Sequence, residues 1–350
     1  MQKPFGVIIV GGTGYGAGEL LRMLAPHPAI EVCGVVSRSH GGDPVASVHT
    51  HLAGIVGSHF DAAIDLSKLR DKRSRAVILA MPPGQASPTI QSLRSLGLDD
   101  HTKVIDLSGD FRLRNETSHA EFYAEVPWEP ELRQRFTYGL PELDRTAISA
   151  TQFITNPGCL ATGAILALAP LREMTDSGNV VIDAKTGTSG AGREPQASMH
   201  HPGRFSDFTA YKPLSHRHEP EIVQALGERF EQNFGIMFVP HLIPVSRGIF
   251  VSAYVSQRKN LSKETVEGAY REFYRDSPFI RFRSAPPRLV DVVGTNFCDI
   301  FIATRASQIV VMTALDNLGK GMAGQAIQNL NLALALPEET GLLVPALGPA

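Results

Sequence analysis

The chain has 350 residues, 43% hydrophobic and 19% charged. At about 100–200 residues per domain this length predicts two domains, with cores large enough to need no disulfides or structural metal. Its 33 Lys and Arg nearly balance 35 Asp and Glu, which argues against a protein that works by clinging to nucleic acid or to an anionic membrane.

No apolar run approaches the roughly 18 residues needed to span a bilayer, and the first residues lack a signal peptide's apolar stretch, so a cytoplasmic location is expected. Three cysteines, Cys33, Cys159 and Cys298, are too few and too scattered for a disulfide framework or a four-ligand zinc site, so no metal is expected.

Residues 5–10 read as a buried strand, followed by a glycine cluster and a helical pattern at 19–24. Further strands are expected at 31–36, 76–80 and 103–107, with a helix over 85–96. Strand and helix in alternation predict a mostly parallel sheet that binds ligands at its carboxyl ends. After residue 151 the pattern changes. Residues 160–171 form an almost wholly apolar helix, and 180–184 a strand leading into a second glycine-rich loop. Strands at 236–242, 248–256, 297–304 and 308–315 suggest an antiparallel sheet, with a helix over it at 261–274. Residues 318–336 give a last helical pattern, and 337–350 read as a surface tail. The expected fold class is an α/β Rossmann nucleotide-binding domain plus an α+β dehydrogenase-like domain with a mainly antiparallel sheet.

The cluster Gly11-Gly12-Thr13-Gly14-Tyr15-Gly16-Ala17-Gly18 lies at the first strand-to-helix junction. Glycine there lets backbone amides approach a pyrophosphate, while the helix N-terminus supplies partial positive charge. Gly11, Thr13, Gly14, Tyr15 and Gly16 are the expected cofactor residues. An NAD site usually carries an acidic residue at the end of the second strand, whereas this chain has Ser37-Arg38-Ser39. Those three residues suit a 2′-phosphate, so NADP(H) is the expected cofactor.

Asn156-Pro157-Gly158-Cys159 precedes the apolar helix and places Cys159 at or near its N-terminus, where the helix dipole lowers a thiol pKa. Cys33 and Cys298 sit in apolar strand contexts and read as structural. Ser215-His216-Arg217-His218-Glu219-Pro220-Glu221 is the densest polar cluster. Either His216 or His218 could activate the thiol, and Arg217 could bind a carboxylate or phosphate. His200 and His201 read as surface residues. The loop 185–193 could bring amides and hydroxyls toward a nicotinamide or phosphoryl group, but it lacks the Walker pattern.

Taken together, GGTGYGAGEL (11–20), Ser37-Arg38, DLSGDFRL (106–113), YGLPEL (138–143), NPGCLAT (156–162), KTGTSGAGR (185–193), HRHEPEI (216–222) and DNLGKGM (316–322) resemble N-acetyl-γ-glutamyl-phosphate reductase. That enzyme of arginine biosynthesis is related to aspartate-semialdehyde dehydrogenase. The resemblance implies that Cys159 attacks the acyl phosphate of N-acetylglutamate to form a thioester, which NADPH reduces to the 5-semialdehyde. It also implies that Arg112, the His216–His218 segment and Glu221 contact substrate, and that Ser189, Gly190 and Asn317 lie by the cofactor. Residues 1–155, completed by a C-terminal helix within 318–350, would form the NADP domain. Residues 156–317 would form the catalytic and dimerisation domain of a homodimer or homotetramer.

Cys-x-Ala-Thr at 159–162 is similar instead to sister enzymes that reduce carrier-protein-linked aminoadipyl phosphate in lysine biosynthesis, which makes an aminoadipyl or glutamyl phosphate held by a carrier protein the rival substrate. That substrate, or aspartyl phosphate, is the alternative within the same chemistry. A non-catalytic NADP-sensing Rossmann protein is the alternative of another class.

Overall fold

The computed structural model describes residues 4–173, 178–227, 234–256, 261–346 and 348. The chain divides into one unit of Met1–Pro157 with Met322–Leu343 and a second of Gly158–Gly321 with Val344–Ala350.

The first unit is built on a six-stranded sheet of order β2-β1-β3-β4-β6-β5. Its strands are β1 (Phe5–Val10), β2 (Ile30–Val36), β3 (Ser74–Leu79), β4 (Lys103–Asp106), β5 (Phe136–Tyr138) and β6 (Phe153–Thr155). Every neighbouring pair is parallel. All six residues of β1 are buried, because a central parallel strand is covered by helices on both faces and so reads as a continuous apolar run. The chain runs from β1 to β2 on one side and then crosses back to β3 on the other. The loops after β1 and β3 therefore flank a topological switch point, where ligands bind in this architecture. β5 and β6, each of three residues, extend the sheet beyond the four strands expected.

The helix Gly324–Ala333 returns to this unit and packs on the helix Pro141–Ala150 and on β4. Its Gln325, Gln328, Asn329 and Asn331 are fully buried. Asn329 Nδ2 donates to Gly139 O at 2.8 Å, and Asn331 Nδ2 donates to the carbonyls of Glu338 and Thr340. Those bonds correct the expected surface tail. Leu342 is only 2% exposed, and the segment after the helix is tied back to it because buried side-chain amides need partners.

The second unit holds a seven-stranded sheet of order β11-β12-β13-β10-β7-β9-β8. Its strands are β7 (Gly178–Thr186), β8 (Thr209–Ala210), β9 (Phe234–Leu242), β10 (Ile249–Ser256), β11 (Ile280–Phe282), β12 (Cys298–Arg305) and β13 (Gln308–Leu315). It is mainly antiparallel, with β7–β9 and β11–β12 parallel. The expected fold class therefore holds.

Burial alternates along these strands. Val180, Ile182 and Ala184 of β7 point inward with Val251, Ala253 and Val255 of β10, the period of a sheet covered on one face. The helix Cys159–Leu168 lies against β10 and β13 on that inner face. It is buried all round except at Cys159, which explains why it is apolar all round. Tyr270 and Tyr274 hydroxyls donate to the carbonyls of Ala167 (2.5 Å) and Leu166 (2.8 Å), satisfying its last turn. Among the described residues no helix is long and apolar enough to cross a membrane.

Candidate active site

Gly158 is the N-cap of the helix Cys159–Leu168, and Cys159 is its first residue. Cys159 is partly exposed, whereas Cys298 is buried. Cys33 is also partly exposed, but burial pushes its thiol pKa up, the opposite of activation. Of the three thiols, only Cys159 combines access with a helix N-terminus.

Two flanking glycines let other groups close on it. A Cβ built on Gly158 would collide with His218 Nε2 and lie 2.8 Å from Glu221 Oε2. One built on Gly321 would lie 2.9 Å from the Cys159 Cβ. Either side chain would have to displace the group it meets.

The helix His218–Leu226 supplies the groups facing Gly158. Glu221 is fully buried and its Oε1 accepts the Gly158 N–H at 2.7 Å. The His216 and His218 rings meet edge to face with centroids 4.6 Å apart. His216 Nδ1 accepts the backbone N–H of His218 at 3.1 Å, so that nitrogen carries no proton. Burial, reinforced by Arg217 and Lys212, lowers the His216 pKa to about 4. A neutral His216 thus anchors the turn that presents His218. Arg217, between them, is partly exposed. Tyr211 stands edge-on to His216 at 5.5 Å, with its phenol pKa raised by burial and by the Cys159 charge. His200 and His201 are exposed, as expected.

The second glycine loop departs from expectation. The amides of Gly187, Thr188 and Ser189 donate to the carbonyls of Gly248, Val245 and Ser246 at 2.9–3.0 Å. Gly190 N donates to Gly187 O at 3.3 Å. These amides are committed within the protein and cannot also cradle a phosphoryl group. Asn317 ties the loop down further: its Nδ2 donates to Ser189 Oγ and its Oδ1 accepts Gly248 N, both at 2.8 Å. Gly190 is exposed and Ser189 half-buried.

In the first unit, Gly11 adopts φ +88°, and a Cβ there would lie 2.5 Å from Ala80 O. Gly14 caps the helix Tyr15–Leu24 with no side-chain hydrogen bond, and a Cβ on it would meet nothing within 4 Å. That open helix N-terminus fits a dinucleotide pyrophosphate. Thr13 is half-buried and Tyr15 exposed beside it. Gly16 and Gly18 have another cause: a Cβ would lie 2.5 Å from Met322 Sδ and 2.6 Å from His49 Nδ1, respectively. Ser37 is buried with its Oγ 3.4 Å from that of Ser39, while Arg38 and Ser39 are exposed beyond the end of β2. Arg112 is buried, and its Nε and Nη2 donate to the carbonyls of Asn156 (2.8 Å) and Leu107 (3.3 Å).

Residues 6–151 match the semialdehyde dehydrogenase NAD-binding domain, and residues 159–317 match the semialdehyde dehydrogenase dimerisation domain. N-acetyl-γ-glutamyl-phosphate reductase of Methanosarcina barkeri is 43% identical over 97% of this chain and 98% of its own. The chain belongs to the N-acetyl-γ-glutamyl-phosphate reductase family. As a member of this reductase family it is an oxidoreductase with a nicotinamide-dinucleotide domain.

The fold is shared with aspartate semialdehyde dehydrogenase II of Vibrio cholerae, solved with ASA (TM-score 0.71, 15% identity, 95% of this chain and 99% of that one). It is shared too with aspartate semialdehyde dehydrogenase of Candida albicans, solved with NADP (TM-score 0.69, 13% identity, 94% and 98%).

Reading the sequence of this reductase alone passes over Tyr211, Gly158 as a contact point and Gly321. An isolated tyrosine carries no local signal. The two glycines could have been suspected because each lies in a turn bordering a segment that carries chemistry.

Proposed function

We propose that the chain reduces N-acetyl-γ-glutamyl phosphate to N-acetylglutamate 5-semialdehyde in the cytoplasm, with NADPH as reductant and a thioester on Cys159 as intermediate. The observation that carries this reading is the half-exposed Cys159 at the start of a buried helix, with His218 Nε2 against the preceding glycine. A helix N-terminus stabilises a thiolate. His218 takes the thiol proton, the thiolate adds to the acyl carbon, and phosphate departs with the electron pair of the C–O bond. When bound, NADPH would supply the hydride that reduces the resulting thioester. Amides of the helix's first turn and the His218 imidazolium steady the oxyanion formed at the carbonyl oxygen. Cleavage of the C–S bond then frees the aldehyde and returns the thiolate.

His216, with its pKa held near 4, stays neutral and positions His218. Arg217 binds the substrate's carboxylate or phosphate. Arg112 and Glu221 contact substrate in this reading, and their side chains also hold nearby main-chain groups. Gly11, Thr13, Gly14, Tyr15 and Gly16 hold the pyrophosphate, and Ser37, Arg38 and Ser39 the 2′-phosphate. Ser189, Gly190 and Asn317 remain cofactor residues of this proposal, through hydroxyl, Cα and side-chain surface rather than loop amides.

A free metabolite is favoured over a carrier-linked one. Thr162, the residue of similarity to carrier-dependent enzymes, is fully buried and its hydroxyl donates to Gly158 O at 3.0 Å. A homodimer or homotetramer is expected to form through the outer face of the second sheet, where Met237 and Tyr254 are exposed.

Run in reverse with N-acetylglutamate semialdehyde and NADP, the purified protein should require phosphate, and Cys159→Ser should lower turnover by at least about 10³-fold. Aldehyde oxidation without phosphate, or an active serine variant, would overturn the proposal.

A further inference from the structure

Asp316 immediately follows β13 and is fully buried, yet no part of the reaction above uses it. Its carboxylate collects donors from three directions. Arg247 Nε reaches Oδ1 at 3.1 Å and Arg247 Nη2 reaches Oδ2 at 2.5 Å. Gly294 N donates to Oδ2 at 2.6 Å, and Leu318 N to Oδ1 at 3.0 Å. A buried carboxylate held by a two-pronged arginine and two amides is fixed in place, because losing any donor leaves charge uncompensated.

The backbone carbonyl of the same residue accepts the Gly321 N–H at 2.8 Å, closing the turn that runs from 316 to 321. That turn opens a π-helical stretch, Gly319–Ala323, and single π turns concentrate at functional sites. Gly321 is pressed against the nucleophile: a Cβ on it would lie 2.9 Å from Cys159 Cβ and 3.4 Å from Cys159 Cα. Gly319 is held just as closely, since a Cβ there would run into the Thr295 carbonyl. The turn therefore approaches Cys159 with bare backbone, and Asp316 fixes how near it comes.

We propose that Asp316, locked by Arg247, is a positioning residue that sets the place of Cys159 through Gly321. The proposal rests on the reading of Cys159 as nucleophile. Its test is therefore a measurement on the thiol that does not depend on turnover. The rate constant for alkylation of Cys159 by iodoacetamide would be followed against pH by peptide mass spectrometry, in the wild type, Asp316→Asn, Arg247→Met, the double variant and Gly321→Ala. Reverse-direction kcat and KM, NADPH affinity and Tm would be recorded for each.

Asp316→Asn and Arg247→Met should each slow alkylation and lower kcat by about 10–100-fold, with KM and NADPH affinity within about twofold. The double variant should be no worse than either single change, because both break one link. Gly321→Ala keeps the ion pair and forces a methyl toward Cys159. It should reproduce the loss in any preparation whose Tm shows it folded at the assay temperature, which keeps the test decisive if the Asp316 variant folds poorly. Wild-type alkylation rates and pH profiles in Gly321→Ala and in every folded Asp316 or Arg247 variant would overturn the positioning role. So would a loss of NADPH affinity in place of thiol reactivity. An active Cys159→Ser would instead defeat the nucleophile reading and leave the alkylation comparison standing.

Discussion

Gly14 and Gly187 have nearly the same backbone conformation, φ −71°, ψ 163° and φ −72°, ψ 162°, and each caps a helical turn after a strand. Any residue can adopt those angles, so conformational freedom explains neither glycine. Their surroundings differ completely. A Cβ on Gly14 would meet nothing within 4 Å, while one on Gly187 would lie 2.8 Å from Arg247 N and from the Ser246 carbonyl group. The amides after Gly187 are taken by residues 245 and 246, but the turn after Gly14 opens a helix with no side-chain cap. Two glycine-rich loops of similar composition thus do different work. One leaves room for a ligand, and the other lets two protein segments touch. Gly158 is a third variant, in which the contact groups are the side chains of His218 and Glu221.

Among the three glycines the largest effect is expected at Gly158. Gly158→Ala pushes a methyl into His218 and Glu221 and should lower turnover by about 10²–10³-fold, with NADPH affinity unchanged in a fluorescence titration. Retained turnover would mean that His218 does not serve Cys159.

The loop comparison itself is broken or kept by a pair of substitutions. Gly187→Ala should cost about 1–3 kcal/mol in denaturant unfolding through backbone overpacking, whereas Gly14→Ala should stay within about 0.5 kcal/mol. The affinities should run the other way, with NADPH weakened about tenfold by Gly14→Ala alone. Equal stability losses would erase the distinction.

The smallest and most selective effect is expected at Arg38. Arg38→Asp should raise the KM for NADPH about tenfold and leave that for NADH within about twofold, as loss of a 2′-phosphate partner requires. Equal effects on both cofactors would remove Arg38 from that site.

Much of this was legible in the residues. β1 and β13 fall where the apolar runs place them, and the Pro-Gly turn puts Cys159 first in its helix because neither residue sits comfortably within one. β5 and β6 were not legible, since three residues are too few to display a period of two. The choice between His216 and His218 was also closed to sequence reasoning. Both stand in one short polar run, and only burial and the bond from His218 N to His216 Nδ1 separate a neutral anchor from the imidazole beside Gly158. The surroundings of Asp316 were not legible for a similar reason: its donors come from Arg247, Gly294 and Leu318, and two of those three are distant along the chain.

The sequence by itself determined the longer strands, the helix that Cys159 begins, the nucleotide-binding fold and the family resemblance. These follow from local periodicity, turn chemistry and the order of short motifs, all of which act between near neighbours. Only the tertiary structure decided which glycine loop stays open, which histidine meets Gly158 and what holds Gly321 against Cys159. Each of those outcomes depends on the atom lying within about 3 Å across a packed interior, and packing there joins residues that are far apart in sequence.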